Sequence, residues 1–197
     1  FVLGDQNLAD AAVDKAFSLS GIYQNTKVAE NLEIIDDLRA NLPEKFPKIL
    51  SEATEPFVKL YSFWKAWDGG KHKDAAKAAL KDVGLAIRSG ELSGKVTHDE
   101  LEAHARNLSI AKAVFGEKFK MSEYFAAQKA ANTAFPAMSD EFKYLGFNVL
   151  VQRLGQKAGV ATGTMFAKML QGIRMPGYSG AAWRAVTTWV HRPRATR

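Results

Sequence analysis

Residues 97–116 read THDELEAHARNLSIAKAVFG, and this stretch holds the start, the apolar face and the end of one helix. Thr97 and Glu100 match a capping box, in which each side chain accepts a hydrogen bond from the backbone N–H of the other residue. Gly116 follows the last helical position, where glycine commonly ends a helix. Between these ends, apolar residues recur every three or four positions: Leu101, Ala105, Leu108, Ala111 and Phe115.

Helix start and stop residues divide the rest of the chain into segments of the same kind. Asp74 begins an alanine-rich segment that we expect Ser89-Gly90 to end. Alternating apolar and polar runs bounded by hairpin turns are absent from the sequence. The sequence therefore predicts an all-α fold, a multi-helix bundle of eight to ten short helices with no sheet. A stripe of bulky apolar residues after Thr54 is expected to form core: Phe57, Leu60, Tyr61 and Trp64.

Two further expectations concern helix faces in the last third of the chain. Gly155, Gly159 and Gly163 recur every four residues, which on a helix places them in one narrow stripe. Small residues let another helix approach closely, so we expect close helix packing at these glycines, within the chain or across a subunit boundary. Ser139 is expected to cap a helix whose inward face consists of four apolar residues: Phe142, Leu145, Val149 and Leu154.

The charge of the chain is unevenly distributed along its 197 residues, which include 27 Lys and Arg and 21 Asp and Glu. Residues 1–141 contain 18 basic and all 21 acidic residues, a net charge of −3. Residues 142–197 contain nine basic residues and no acidic residue, a net charge of +9. We therefore expect a mixed-charge helical region, 1–141, followed by a basic helical C-terminal region, 142–197, packed on it or on a partner.

The basic region is the candidate binding surface of the chain. Its field attracts acidic protein surfaces, anionic lipid headgroups or RNA, and its aromatic residues alternate with Arg, as at many binding surfaces. Solvated faces usually mix both signs of charge, so the complete absence of acidic residues favours a binding role. The residues expected to bind a partner or an anionic surface are Arg153, Lys157, Lys168, Arg174, Arg184, Trp189, Arg192, Arg194 and Arg197.

Sequence motifs for catalysis are weak throughout. The chain has no cysteine, which excludes disulfides, thiolate metal sites and cysteine nucleophiles. Two pairs, His98 with Glu102 and Glu100 with His104, have the spacing of helical metal ligands, but helical metal centres need further inward Glu or His from other helices. Residues 177–180, Gly-Tyr-Ser-Gly, lack the pattern of a nucleophile elbow. We expect no catalytic residue, no metal, no cofactor and no enzymatic activity.

Membrane and targeting features of the sequence are few. The longest stretches without charge, residues 130–139 and 158–167, are half the length of about 20 apolar residues that a helix needs to span a bilayer. We therefore expect no transmembrane span and, at most, peripheral attachment. The chain begins at Phe1 without an initiator Met, which favours removal of a signal or organellar transit peptide, although a cleaved tag or a truncated chain would give the same start. Its basic charge favours the mitochondrion over the chloroplast.

These observations predict a non-catalytic accessory subunit of a large organellar protein complex, with an energy-converting complex of the mitochondrial inner membrane favoured. The basic C-terminal region would dock on other protein subunits or on anionic lipid headgroups. One alternative is an RNA-binding subunit of an organellar ribosome, whose affinity would fall steeply with salt. A second alternative is a helical protein or enzyme that binds a small ligand near Trp64, which would require an apolar pocket with convergent polar groups.

Overall fold

The computed structural model describes residues 3–42, 50, 52–68, 74–95 and 97–170 of the chain. These residues form eight α-helices and no strand, which confirms the all-α fold. Short 3₁₀ turns occur at Gly116–Lys118 and Asn132–Ala134, and a π-helical turn occupies Phe142–Gly146. The helices are α1 (Leu3–Ile22), α2 (Val28–Asn41), α3 (Thr54–Asp68), α4 (Ala75–Leu92), α5 (His98–Phe115), α6 (Met121–Ala131), α7 (Phe147–Leu154) and α8 (Lys157–Leu170).

The chain forms two compact units, Phe1–Glu117 and Lys118–Arg197. The first unit contains α1 to α5, and the second contains α6 to α8 together with the π-helical turn. The change of charge after Glu141 therefore falls inside the second unit, ten residues after the end of α6. The division of the chain into regions 1–141 and 142–197 by charge stays a prediction.

Helix α3 is central to the first unit, because it contacts α2, α4 and α5. The bulky stripe expected to be core is buried along its whole length, with Phe57 and Tyr61 fully excluded from solvent. Burial of a large apolar side chain contributes on the order of 2 kcal/mol, so this one helix supplies much of the apolar stabilisation of the unit. The expectation that Phe57, Leu60, Tyr61 and Trp64 form core is confirmed.

The ends of α5 lie where the capping residues predict. The backbone N–H of Glu100 donates to Oγ1 of Thr97 (3.4 Å), and the backbone N–H of Thr97 donates to Oε2 of Glu100 (3.4 Å). Gly116 has a φ of +58°, which ends the helix in a backbone conformation that favours glycine. Both ends are set by local chemistry, and the buried face between them includes Leu101 and Leu108.

The end of α4 was wrongly predicted, because the helix continues through Ser89 and Gly90 to Leu92. Both residues are buried, and a Cβ at Gly90 would lie 3.2 Å from Cδ2 of His104 on α5. The missing side chain therefore allows α4 and α5 to pack closely. Nε2 of His104 is 2.9 Å from the carbonyl oxygen of Ala86, so the imidazole is a packing residue between the two helices.

A partly buried ion pair joins α2 to α3. Nζ of Lys65 donates to both carboxylate oxygens of Glu30, at 2.9 and 2.8 Å, and the backbone N–H of Lys27 donates to Oε2 of Glu30 at 2.8 Å. Burial opposes ionisation of this carboxyl, but the hydrogen bonds from Lys65 and Lys27 outweigh it and lower the pKa of Glu30. The ionised form of Glu30 therefore stabilises the folded first unit.

We expect Glu30→Gln to lower the free energy of unfolding by about 2 kcal/mol at neutral pH, since charge-assisted hydrogen bonds are lost and Lys65 remains unpaired. A carboxyl with a lowered folded-state pKa contributes stability above its usual pKa and loses it as the pH falls through the folded value. In urea denaturation, the difference in free energy of unfolding between the variant and the original chain should therefore shrink as the pH falls below the usual pKa of a glutamate.

The matched control is Glu33→Gln, which changes an exposed glutamate on the same helix and should shift the stability by less than about 0.5 kcal/mol. A stability difference for Glu30→Gln that stays constant from neutral to acidic pH would contradict this account.

An aromatic cluster forms the centre of the second unit. Tyr124 of α6 and Phe147 of α7 meet edge-on, with ring centroids 5.8 Å apart, and Phe135 contacts both rings at 6.0 and 5.1 Å. Edge-to-face pairs of this kind add about 1 kcal/mol each beyond burial. The hydroxyl of Tyr124 donates to the carbonyl oxygen of Lys143 (3.2 Å), and complete burial raises the pKa of Tyr124. Its phenol therefore remains protonated as a hydrogen-bond donor.

The three glycines expected in one stripe have different roles. Gly155 has a φ of +56° and ends α7, so the single continuous stripe was wrongly predicted. Gly159 and Gly163 lie on the following helix, α8, which packs against α6. A Cβ at Gly159 would overlap the backbone carbonyl of Ala127 on α6, whereas a Cβ at Gly163 would lie 3.5 Å from the carbonyl oxygen of Ala131. The closest approach of the two helices is therefore at Gly159, within the chain.

We expect Gly159→Ala to lower the free energy of unfolding of the second unit by about 2 kcal/mol, because α8 must move away from the backbone of α6. Gly163→Ala is the matched control on the same helix. Ordinary contact distance and better helix propensity should leave its stability unchanged or raise it by up to about 1 kcal/mol. Urea denaturation followed by circular dichroism compares the two variants, and equal stability would contradict the proposed helix crossing.

Candidate docking surface

The π-helical turn Phe142–Gly146 determines which side chains of the basic region face solvent. Ser139 caps the segment as expected, because its Oγ accepts a hydrogen bond from the backbone N–H of Phe142 (3.3 Å). A π-helical turn holds one more residue than an α-helical turn and rotates the side chains that follow it. The face that points inward is therefore shifted relative to a regular helix that starts at Ser139.

The inward face of this segment was wrongly predicted. Tyr144, Phe147 and Val151 are buried in place of the expected residues, and Nδ2 of the buried Asn148 donates to the carbonyl oxygen of Tyr144 (2.7 Å). Of the expected inward residues, Phe142 is half-buried with its ring centroid 6.4 Å from that of Phe147, whereas the other three are exposed. The exposed fractions are 37% for Leu145, 40% for Val149 and 46% for Leu154.

Aromatic packing explains the choice between the two faces. Tyr144, Phe147 and Val151 are also spaced three and four residues apart, so the sequence contains two apolar faces with helical periodicity. Burial of Phe147 completes the cluster with Tyr124 and Phe135. The outward apolar residues were missed because the sequence does not mark the π-helical turn that separates the two faces.

Lys143 is the first basic residue of the region, and its side chain is buried among residues of the second unit. Its side chain is 4% exposed, and Nζ donates to the carbonyl oxygen of Pro136 (3.1 Å) while lying 3.5 Å from Oδ1 of Asp140. The ammonium also lies over the ring of Phe135, 5.9 Å from its centroid. Its positive charge is thus compensated locally and does not contribute to a binding surface.

Three predicted binding residues lie in the described part of the basic region. Arg153 and Lys157 are exposed and Lys168 is half-buried. None of the three forms an ion pair with another residue that the structure describes. The other predicted binding residues lie outside the described residues: Arg174, Arg184, Trp189, Arg192, Arg194 and Arg197.

These exposed apolar and basic side chains lie on two consecutive helical segments that contact each other. Val160 on α8 is 60% exposed and follows Lys157 by three residues, so the two share one side of that helix. On α7, Arg153 follows Val149 by four residues, so these two residues also share one side of their helix. We name this set the outward face of the second unit: Leu145, Val149, Arg153, Leu154, Lys157 and Val160.

The residue pairs considered as metal ligands have structural partners. Nε2 of His98 is 3.8 Å from Oε2 of Glu102, whereas Glu100 belongs to the capping box and His104 is buried against α4. Among the described residues, no group of three or more potential metal ligands comes together. No helix in the described ranges combines the length and the hydropathy needed to cross a bilayer.

Comparison with known proteins adds no further assignment, since no protein-family model, no curated protein and no solved structure matches this chain.

Proposed function

We propose that the chain is a non-catalytic accessory subunit of a larger protein assembly and that it docks on a partner subunit through the outward face of its second unit. The observation that supports this function is the combination of exposed apolar side chains with unpaired cations in a segment without acidic residues. The partner surface that fits this chemistry is apolar at its centre and acidic at its edge.

The chemistry of the outward face resembles that of protein interfaces in two respects. Interfaces bury a group of apolar side chains within a polar rim, and four of the six residues of the outward face are Leu or Val. Arg153 and Lys157 have no acidic neighbour to pair with between residues 142 and 170, so their charge is available to a partner. Charge complementarity of this kind accelerates association and selects the partner.

The cellular setting of this function is also proposed from the sequence. The net charge of +6 favours an organellar complex, and we propose a mitochondrial energy-converting complex at the inner membrane. Five of the six predicted binding residues after residue 170 are Arg, so they add positive charge to the same region of the sequence. Anionic lipid headgroups next to the partner subunit would be attracted by the same charges.

Charge reversal on the outward face tests this function. Arg153→Glu/Lys157→Glu in the tagged full chain should reduce recovery of the partner subunit from gently solubilised source cells by about tenfold. Leu145→Ser/Val149→Ser should reduce the recovery in the same way, because it removes the apolar part of the surface. All four side chains are exposed, so both variants should fold, which circular dichroism checks.

The matched control is Lys77→Glu/Lys81→Glu, which makes the same change of charge at two exposed positions of α4 in the first unit. The control should recover the partner at the original level. Equal recovery by the control and by Arg153→Glu/Lys157→Glu would contradict the proposal. Recovery that a ribonuclease abolishes would contradict it in favour of RNA binding, and recovery of anionic vesicles without protein would favour a lipid surface.

A further inference from the structure

A second surface with exposed apolar side chains lies in the first unit, on the solvent side of α1. Helix α1 buries Ala16 and Leu19, and Ala12 packs against the same core. Val13 and Phe17, which are one turn apart, are 40% and 60% exposed. Phe17 is the only exposed aromatic side chain among the residues whose burial the structure describes. Aromatic residues are enriched at protein interfaces, so this side of α1 has the composition of a contact surface.

Two aspartates complete this side of α1. Asp10 precedes Val13 by three residues and Asp14 precedes Phe17 by three residues, so all four share one side of the helix. Both aspartates are exposed, and neither forms an ion pair with a residue in the described ranges. Lys15, the only basic residue in the sequence of α1, is half-buried and interacts with another residue. We name these four residues the α1 face: Asp10, Val13, Asp14 and Phe17.

The charges of the α1 face favour a cationic partner. Asp10 and Asp14 are one turn apart, at a spacing where like charges repel each other and destabilise a helix. A cationic surface placed against them relieves this repulsion. An apolar group at the centre of that surface would also cover Phe17.

The outward face of the second unit has this complementary chemistry. It combines four Leu and Val side chains with two cations, Arg153 and Lys157, which form no ion pair in the described part of the chain. A partner for it is apolar at its centre and acidic at its edge, and the α1 face has both properties. Contact between the two faces would bury Phe17 among aliphatic side chains and place two aspartates beside two cations.

We propose that the outward face of the second unit binds the α1 face of a second copy of this chain. This inference rests on the docking function proposed for the outward face, and it names the partner surface. The two faces differ, so the contact is heterologous, and a pair of copies retains one free face of each kind. Heterologous contacts build rings where the rotation closes and open filaments where it does not. The assembly therefore contains more than two copies.

Sedimentation velocity of the purified full chain over a range of concentrations tests the inference. We expect species larger than a dimer to grow as the protein concentration rises. Asp10→Lys/Asp14→Lys and Arg153→Glu/Lys157→Glu should each weaken the association by about tenfold or more, because they place like charges opposite each other. The four substitutions combined in one chain exchange the charges of the two faces and should restore the affinity to within about threefold.

The matched control is Asp99→Lys/Glu102→Lys, which makes the same change of charge at two exposed acidic positions of α5 in the first unit. It should associate as the original chain does, and circular dichroism checks that every variant is folded. The inference is overturned if the original chain is a monomer at every concentration. It is also overturned if the folded chain with all four substitutions stays dissociated, or if the α1-face variant and the control associate equally.

Recovery of proteins from source cells separates failure of this inference from failure of the docking function. If the purified chain is a monomer and Arg153→Glu/Lys157→Glu still reduces recovery of a different protein, this inference is overturned and the docking function is supported. If neither association nor recovery depends on Arg153 and Lys157, both are overturned.

Discussion

The π-helical turn at Phe142–Gly146 is the constraint on which the proposed function depends. It turns Phe147 into the aromatic cluster with Tyr124 and Phe135, and the same rotation turns Leu145 and Val149 toward solvent. Gly155 then ends α7 and allows α8 to return along α6. The exposed apolar face is therefore a consequence of how the core is filled, since this segment buries one of its two apolar faces among the described helices of the second unit.

Helix α3 has a comparable role in the first unit, because two of its sides have different chemistry. One side buries Phe57, Tyr61 and Trp64 among the other helices. Another side presents Lys59 and Phe63 to a groove between α3 and α5. The ion pair between Glu30 and Lys65 holds α2 against this helix.

Local chemistry accounts for what the sequence predicts well. Thr97, Glu100 and Gly116 define α5 through hydrogen bonds and a backbone angle that involve neighbouring residues alone. Which of two apolar faces a helix buries depends instead on distant packing, and the sequence prediction failed for the segment after Ser139. Ser89-Gly90 has the composition of a helix end, but the contact with His104 on another helix keeps it helical. The basic residues of the candidate docking surface were predicted from the sequence, but its exposed apolar residues were not. Contacts of Phe147 with residues far away in the chain decide which apolar face is exposed.

The outward position of the apolar face is the central claim, and single cysteine substitutions measure it directly because the chain has no other thiol. Val149→Cys and Val151→Cys place a thiol on opposite sides of α7. Both replace a valine by a cysteine of similar volume. The account predicts that the thiol at position 149 reacts with a soluble thiol reagent nearly as fast as in the unfolded chain. The thiol at position 151 should react at least about 100-fold more slowly, because the second unit must open to expose it. Fast reaction at position 151 with protection at position 149 would contradict the account.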